Sequence, residues 1–215
     1  RPLDPGGPRA SVGALYAVSL DLAQGDRLGV IGANGAGKSS LLRTMAGIYQ
    51  PLSGTVCRSG RTTPLLSLGT GLNMEATGIE NILLLGMHLD IPPSEMRRSV
   101  EEIIEWTELG GFASAPLRTY SAGMIMRLAF AVSTVRAPEI LLMDEWLGLG
   151  DAAFQNKALA RMSRLVGGSS IVVLASHSRA LLDTWCNRTI RLEDGRIAAE
   201  GKVVDLLPDE PPAGT

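Results

Sequence analysis

The sequence has few cysteines, no long apolar run and no excess of basic charge, and each shortage excludes a class of protein. Its two cysteines, Cys57 and Cys186, lie far apart without metal-ligand spacing, which excludes a disulfide framework. They fit reduced thiols in a cytosolic protein, although a single disulfide between them stays open. No apolar run approaches the ~18 to 20 residues that span a bilayer, and no signal peptide is visible. The chain itself is therefore not predicted to enter a membrane.

Charge is balanced along the chain. The 20 lysines and arginines stand against 22 acidic residues, and no basic run forms a patch. A nucleic-acid partner is therefore not expected. What the sequence does have is 215 residues, of which 45% are hydrophobic, enough for one large or two small domains with a real core.

The central motif is a glycine-rich loop at residues 32–40, which reads Gly-Ala-Asn-Gly-Ala-Gly-Lys-Ser-Ser between an apolar run and a helical pattern. The spacing GxxxxGK[ST] and both flanks identify a P-loop, whose backbone N–H groups cradle phosphates. Lys38 is expected to place its positive charge between the outer phosphates, and the Ser39 hydroxyl is expected to bind Mg²⁺. The predicted cofactors are ATP and Mg²⁺, and the predicted nucleotide-binding residues of the loop are Gly32, Asn34, Gly35, Ala36, Gly37, Lys38, Ser39 and Ser40.

The apolar pattern around this loop predicts an α/β chain with a helical insert. Loose alternation predicts a half-buried strand at 14–22, and short strands follow at 55–57 and 63–68. The pattern is helical from about 79 to 135, with Ser94 as an N-cap. One predicted helix buries Met96, Val100, Ile103 and Thr107, and a second buries Met124, Leu128, Ala131, Val132 and Val135. The remaining predicted elements are a strand at 140–143, a helix at 152–166, a strand at 170–175 and a frayed tail at 208–215.

Two carboxylates, Asp144 and Glu145, directly follow the apolar strand 140–143. Buried alone, such a pair would be costly, but beside Mg·ATP it is useful. Asp144 is expected to hold Mg²⁺ through water, and Glu145 to accept a proton from the attacking water. The pair therefore predicts a Walker B strand.

Residues 120–124, Tyr-Ser-Ala-Gly-Met, precede that strand and resemble the signature motif of the ATP-binding cassette (ABC) ATPases. Ser121 and Gly123 match the serine and second glycine of the LSGGQ type, whereas Ala122 and Met124 depart from it. In the family this motif faces the γ-phosphate held by the other protomer. The resemblance also assigns Asp151 to the D-loop that crosses the dimer interface, and His177 to the switch histidine at the γ-phosphate.

The resemblance implies an α/β fold class: a P-loop ABC cassette with a RecA-like core, an antiparallel β subdomain and a helical subdomain. It implies a single ABC ATPase domain over 1–215. Its expected parts are the core with the β subdomain at 11–78 and 137–207, the helical signature subdomain at 79–136 and a flexible tail at 208–215.

Two family residues are missing. The Q-loop glutamine should fall near 69–71, but no glutamine lies between Gln50 and Gln155. The aromatic residue that stacks on adenine should precede Ala14, but position 13 is glycine. Tyr16 is the nearest candidate for adenine stacking, and a plain strand residue is the alternative.

Residues 144–154 contain the form Trp-Leu-Gly-x-Gly-Asp. Together with the form of the signature and Thr-Gly-Ile-Glu-Asn at 77–81, they resemble the polysaccharide exporters among these ATPases, which move O-antigen, capsule, teichoic acid or galactan chains. The resemblance implies ATP hydrolysis with Lys38, Glu145 and His177 as catalytic residues, at the cytoplasmic face of the bacterial inner membrane. It implies a homodimer and an integral-membrane permease that makes most of the contact with the glycan. Motion is expected to reach the permease through residues 66–82.

Three other functions are considered. An ABC exporter of lipids or drugs is the nearest alternative, because the cassette motifs do not record the cargo. A soluble ABC ATPase of DNA repair or translation would need a coiled-coil insert, a second cassette or a basic surface, and none is present. A GTPase switch fails because Asn156-Lys157-Ala158 is followed by Leu159 and not by aspartate.

Overall fold

The computed structural model describes residues 13–66, 68–144 and 152–207, apart from the side chains of residues 152 and 153. Helices lie between most successive strands of a single sheet, and three of them follow one another between the second and third strands. The strands are β1 (Arg27–Ile31), β2 (Thr62–Leu65), β3 (Ile140–Asp144), β4 (Ile171–Ala175), β5 (Arg188–Glu193) and β6 (Arg196–Gly201). The helices are α1 (Lys38–Met45), α2 (Gly78–His88), α3 (Pro93–Thr107), α4 (Ala122–Ser133), α5 (Ala152–Gly168), α6 (Arg179–Trp185) and α7 (Val203–Leu206).

The sheet has the strand order β2-β3-β4-β1-β5-β6. Neighbouring strands pair in parallel except β6, which runs antiparallel to β5. β1, β3 and β4 form its buried centre, and their near-continuous apolar runs suit strands that are covered on both faces. The predicted α/β P-loop fold is confirmed. A separate antiparallel subdomain is not found, since β5–β6 is the one antiparallel strand pair within the described ranges.

Two predicted strands are wrong, because 14–22 and 55–57 contain no strand. The alternation in 14–22 is real, since Leu20 and Leu22 are half-buried while Asp21 is exposed. The backbone of Ala17, however, takes a φ of 51°, which interrupts the extended conformation. Residues 55–57 are all exposed, so they have no apolar face that would fix a strand against a neighbour.

The helical insert follows β2 and contains α2, α3 and α4, which pack around a core of their own. The predicted face of α3 is confirmed, because Met96, Ile103 and Thr107 are buried. The predicted N-cap is wrong: α3 begins at Pro93, so Ser94 lies inside the helix. Proline is suited to a first helical position because its φ is preset and the N–H it lacks would have no partner there.

Candidate nucleotide-binding site

The P-loop leaves the sheet where three strands end side by side. In the strand registers, Val30 of β1 lies opposite Ala175 of β4, and Asp144 of β3 lies opposite the same residue. His177 follows directly after β4, so the P-loop, Asp144 and His177 share the carboxyl edge of the sheet. This edge is where open α/β sheets bind ligands.

The loop conformation depends on glycine at two close approaches. Gly32 has a φ of 150°, and a Cβ there would lie 2.4 Å from the backbone oxygen of Leu192. Gly37 has a φ of 106°, and a Cβ there would lie 2.7 Å from the backbone oxygen of Ala14. Gly37 is also the N-cap residue of α1 and offers no side-chain cap, so the first N–H groups of the helix stay available to an anion.

Gly32→Ala is expected to destabilise the protein by about 1 to 3 kcal/mol more than Gly35→Ala, because its new methyl group also meets immobile backbone. Gly35→Ala is the matched control. Its φ is 85°, but a Cβ there has nothing within 4 Å, so that it adds only backbone strain of about 1 to 2 kcal/mol. Urea unfolding measures both variants. Equal or smaller destabilisation by Gly32→Ala would contradict the close approach.

Lys38 is buried and lies over the loop that precedes it. Its Nζ donates to the backbone oxygen of Gly32 at 2.7 Å and to that of Ala33 at 3.2 Å. The same atom lies 3.2 Å from Nε2 of His177, although the two residues are 139 positions apart in sequence. Two residues that the sequence predicted for the γ-phosphate are thus in direct contact.

The P-loop forms one wall of a cleft of about 830 Å³. Residues at the end of β5 and in the turn to β6 form another wall, and no motif of the sequence predicts them. They lie far from the P-loop in the chain and approach it because β5 pairs with β1. The additional residues of the cleft are Ser176, Arg191, Leu192, Glu193, Asp194 and Leu207.

The oxygens available for a metal ion suit Mg²⁺ that is bound to a nucleotide. Ser39 and Asp144 are half-buried at this edge of the sheet. Within the described part of the chain, no group of three His, Cys, Asp or Glu residues could hold a metal ion. Mg²⁺ commonly takes only one or two protein oxygens and completes its shell with phosphates and water. The residues present therefore fit Mg²⁺ only together with phosphate.

The signature motif forms the N-terminus of α4. Ser121 is the N-cap, and its Oγ accepts a hydrogen bond from the backbone N–H of Met124 at 3.2 Å. Tyr120 is buried beside it and donates from its hydroxyl to the backbone oxygen of Phe112 at 2.6 Å. Ser121 is exposed, and neither it nor Gly123 lines the cleft of its own chain. The P-loop and signature of one chain therefore do not share a cleft.

A buried asparagine organises the segment in which the Q-loop was expected. Asn81 donates through Nδ2 to the backbone oxygens of Asn73 (2.9 Å), Ala76 (3.2 Å) and Thr77 (2.9 Å). Its Oδ1 accepts from the backbone N–H of Asn73 at 2.8 Å. Sequence reasoning used this residue to identify the subgroup but missed its structural role.

The start of α2 lies in the same segment. Thr77 and Glu80 form a capping box, and the hydrogen bond from the backbone N–H of Thr77 holds the pKa of the Glu80 carboxyl below its usual value. The segment is therefore fixed at α2 by backbone and side-chain hydrogen bonds together.

Tyr16 does not line the cleft, and its backbone N–H donates to the backbone oxygen of Gly195 at 2.8 Å. Its ring is half-exposed, and the guanidinium carbon of Arg196 lies 5.5 Å from the ring centroid. Adenine stacking on Tyr16 stays a prediction. The predictions for Glu145, Asp151 and the tail at 208–215 lie outside the described residues.

The two cysteines are free in the structure. Cys57 is exposed, and burial raises the pKa of the Cys186 thiol to about 12. The Cys186 side chain is therefore an uncharged thiol at neutral pH, and thiols react far less readily than thiolates. Neither residue takes part in the cleft.

Comparison with known proteins identifies the family. A family model described as ABC transporter matches residues 15–148. The chain is 50% identical over 201 residues to the O-antigen export system ATP-binding protein RfbE of Yersinia enterocolitica, over 94% of this chain and 83% of that protein. It is 42% identical over 189 residues to the O-antigen export system ATP-binding protein RfbB of Myxococcus xanthus, over 88% of this chain and 43% of that protein. It is also 34% identical over 194 residues to the teichoic acids export ATP-binding protein TagH of Bacillus anthracis, over 90% of this chain and 35% of that protein.

Solved structures agree on the fold. An ATP-binding subunit of an ABC transporter superimposes with a TM-score of 0.76 at 24% identity, over 94% of this chain and 88% of that one. The ATP-binding cassette MJ0796, in a dimeric post-hydrolysis state bound to ADP and Pi, gives a TM-score of 0.70 at 22% identity, over 88% and 90%. Across the described ranges, no helix is both long and apolar enough to cross a membrane. With the P-loop, the Walker B strand end and the capped signature helix in place, the chain belongs to the ABC transporter family, as an ATP-binding cassette.

Proposed function

We propose that this chain is the ATP-hydrolysing subunit of a transporter that exports a polysaccharide or lipid-linked glycan. The observation that carries the proposal is the 50% identity over 201 residues to a protein named as the ATP-binding component of an O-antigen export system. The cleft between the P-loop and His177 supplies the site that such an activity requires.

The residues at the carboxyl edge of the sheet divide the chemical work, and Lys38, Ser39 and Asp144 lie beside the cleft without lining it. The loop N–H groups and Lys38 bind the phosphates. The hydroxyl of Ser39 and the carboxylate of Asp144 would hold Mg²⁺, which would neutralise part of the phosphate charge. Binding requires Lys38 to exchange its bonds to Gly32 and Ala33 for phosphate oxygens. His177 contacts the γ-phosphate, and its 3.2 Å approach to Nζ of Lys38 supports this role. Glu145 accepts the proton of the attacking water.

Two copies of the chain complete two sites. A second copy supplies Ser121 and Gly123 to the γ-phosphate, and the exposure of Ser121 at the N-terminus of α4 leaves it accessible to such a partner. The N-terminus of α4 is the positive end of the helix dipole, and Ser121 is its N-cap residue. Such a helix end suits contact with an anion. Asp151 lies at the interface between the copies, and hydrolysis opens this two-copy clamp.

A membrane permease receives the motion through residues 66–82. Among the described residues of this segment, Met74 is exposed, and Asn81 ties the segment to α2. Met87 on the same helix and Phe112, whose ring meets Tyr120 edge-on at 6.3 Å, are also exposed apolar residues. We propose that these exposed side chains contact the permease. The chain thus sits peripherally at the cytoplasmic face of the bacterial inner membrane, and the permease contacts the glycan.

Deletion of the gene tests the cargo. We expect loss of the surface polysaccharide and accumulation of lipid-linked glycan inside the cell, restored by the wild-type gene and not by Lys38→Ala. Surface polysaccharide is measured by gel electrophoresis of cell envelopes. An unchanged surface glycan together with altered sensitivity to drugs, or altered membrane lipid, would instead support the lipid or drug exporter.

A further inference from the structure

Arg161 of α5 is a buried cation that caps the far end of the signature helix. Its side chain is only 9% exposed. Nε donates to Oγ1 of Thr134 at 2.8 Å, and one terminal nitrogen lies 3.3 Å from the backbone oxygen of Thr134 and 3.4 Å from that of Ala131. Thr134 is the C-cap residue of α4. The last carbonyls of a helix lack partners within it, so a cation here both satisfies them and complements the helix dipole.

The same guanidinium joins a third helix. It stacks over the indole ring of Trp106 near the end of α3, with 4.8 Å between the guanidinium carbon and the ring centroid. The Trp106 ring also meets Phe130 of α4 at 5.6 Å and Phe154 of α5 at 4.9 Å. We call Trp106, Thr134 and Arg161 the three-helix joint. An ion pair to Glu102 at 3.6 Å adds little, because the Glu102 side chain is 70% exposed.

The joint connects two helices whose N-terminal ends carry parts of the clamp. These parts are the signature motif at α4 and the segment that precedes α5, and they have to move together. α4 begins next to Ser121, and α5 begins next to the segment that carries Glu145 and Asp151. The 12 residues of α4 span about 18 Å, so that a change of about 10° at its C-terminal end moves Ser121 by about 3 Å. A misplacement of about 1 Å can already cost about 10²-fold in rate where geometry decides catalysis.

We propose that Arg161 is a positioning residue, which sets the angle of α4 against α5 and thereby the place of Ser121 in the closed clamp. The inference rests on the proposed two-copy clamp. Lysine is a poor substitute, because a single ammonium group cannot stack on Trp106 and also present a fork of donors to Thr134 and Ala131. The P-loop side of the cleft makes none of the contacts of the joint, so ATP binding to one chain is expected to be independent of it.

The experiment compares Arg161→Lys with its parent in the Glu145→Gln background, in which hydrolysis is blocked. Light scattering gives the ATP concentration for half-maximal dimer, and a fluorescent ATP analogue at dilute protein gives the affinity of the monomer. We expect Arg161→Lys to raise the ATP concentration for half-maximal dimer at least tenfold. The affinity of the monomer for the ATP analogue is expected to stay within twofold of the parent. Trp106→Phe keeps the hydrogen bonds from Arg161 to α4. It is expected to raise the ATP concentration for half-maximal dimer too, but by less than Arg161→Lys does.

Two controls separate positioning from stability. Arg164→Lys changes an exposed arginine one turn further along α5 and is expected to dimerise like the parent. Ile82→Val removes a buried methyl group from the helical core on α2, outside the joint, and is expected to lower Tm by a few degrees. It is therefore expected to dimerise normally at temperatures well below its Tm.

The outcomes are distinct. A parent that stays monomeric with ATP bound would overturn the two-copy clamp, and the role of Arg161 with it. If the parent dimerises and Arg161→Lys needs the same ATP concentration for half-maximal dimer as Arg164→Lys, the positioning role alone is overturned. Equal loss of dimer in Ile82→Val would also overturn it, because general destabilisation would then account for the effect.

Discussion

Glu145→Gln is expected to lower kcat for ATP hydrolysis by about 10²- to 10⁴-fold, the usual contribution of a general base. The amide cannot accept the proton of the attacking water, but it fills the same space, so the affinity for ATP is expected to change by less than about threefold. Steady-state phosphate release and equilibrium ATP binding measure the two quantities.

Glu139→Gln is the matched control. Glu139 is an exposed carboxylate that lies immediately before β3, at the opposite end of that strand from Glu145. Its Oε1 accepts from the backbone N–H of Arg61 at 3.2 Å, and the glutamine keeps such an oxygen. Its kcat is expected to equal that of the wild type. A Glu145→Gln enzyme with more than a tenth of the wild-type kcat would mean that another group accepts the proton.

The same substitution is expected to trap the closed clamp. With Mg·ATP, Glu145→Gln should shift from monomer to dimer in light scattering, because the sandwich cannot open by hydrolysis. Adding Ser121→Arg should abolish the shift, because it removes the N-cap bond to Met124 and places a bulky cation at the interface. Ser163→Arg puts the same side chain at another exposed serine, on α5, and should leave the dimer intact.

The second large effect is expected at Lys38. Lys38→Ala should weaken ATP binding about 100-fold, because removal of charge-assisted hydrogen bonds to the phosphates costs about 3 kcal/mol. In the structure, Nζ of Lys38 contacts the backbone oxygens of Gly32 and Ala33 and Nε2 of His177, so the substitution removes these contacts as well as those to the phosphates. Isothermal titration with Mg·ATP measures the affinity, and Mg·ADP indicates how much of the loss depends on the γ-phosphate.

Lys202→Ala is the control for charge. Lys202 is exposed at the start of α7 and does not line the cleft. Lys202→Ala removes one positive charge from the chain, as Lys38→Ala does. The Lys202→Ala protein is expected to bind ATP like the wild type. A Lys38→Ala protein that binds ATP within threefold of the wild type would contradict the role of Lys38 at the phosphates. Its melting temperature shows whether the loop still folds.

The sequence alone determined the motifs that act locally. A P-loop needs glycine at fixed positions between a strand and a helix, and that pattern lies within a few residues, so Lys38 and Ser39 could be assigned by inspection. The faces of α3 and α4 followed in the same way from the helical period, as buried Met96 and Leu128 show. Position 94 was misjudged because proline can itself begin a helix.

The tertiary structure decided which distant residues meet. The wall of the cleft at Arg191 to Asp194 exists because β5 pairs with β1, and strand order is not written in any local pattern. The strand expected at 14–22 failed because the alternation of burial does not by itself supply a hydrogen-bonded neighbour. The contacts of Lys38 with His177 and of Arg161 with Thr134 likewise join elements far apart in sequence. Local spacing specifies what each segment can bind, but only packing of the folded chain brings those groups within hydrogen-bonding distance.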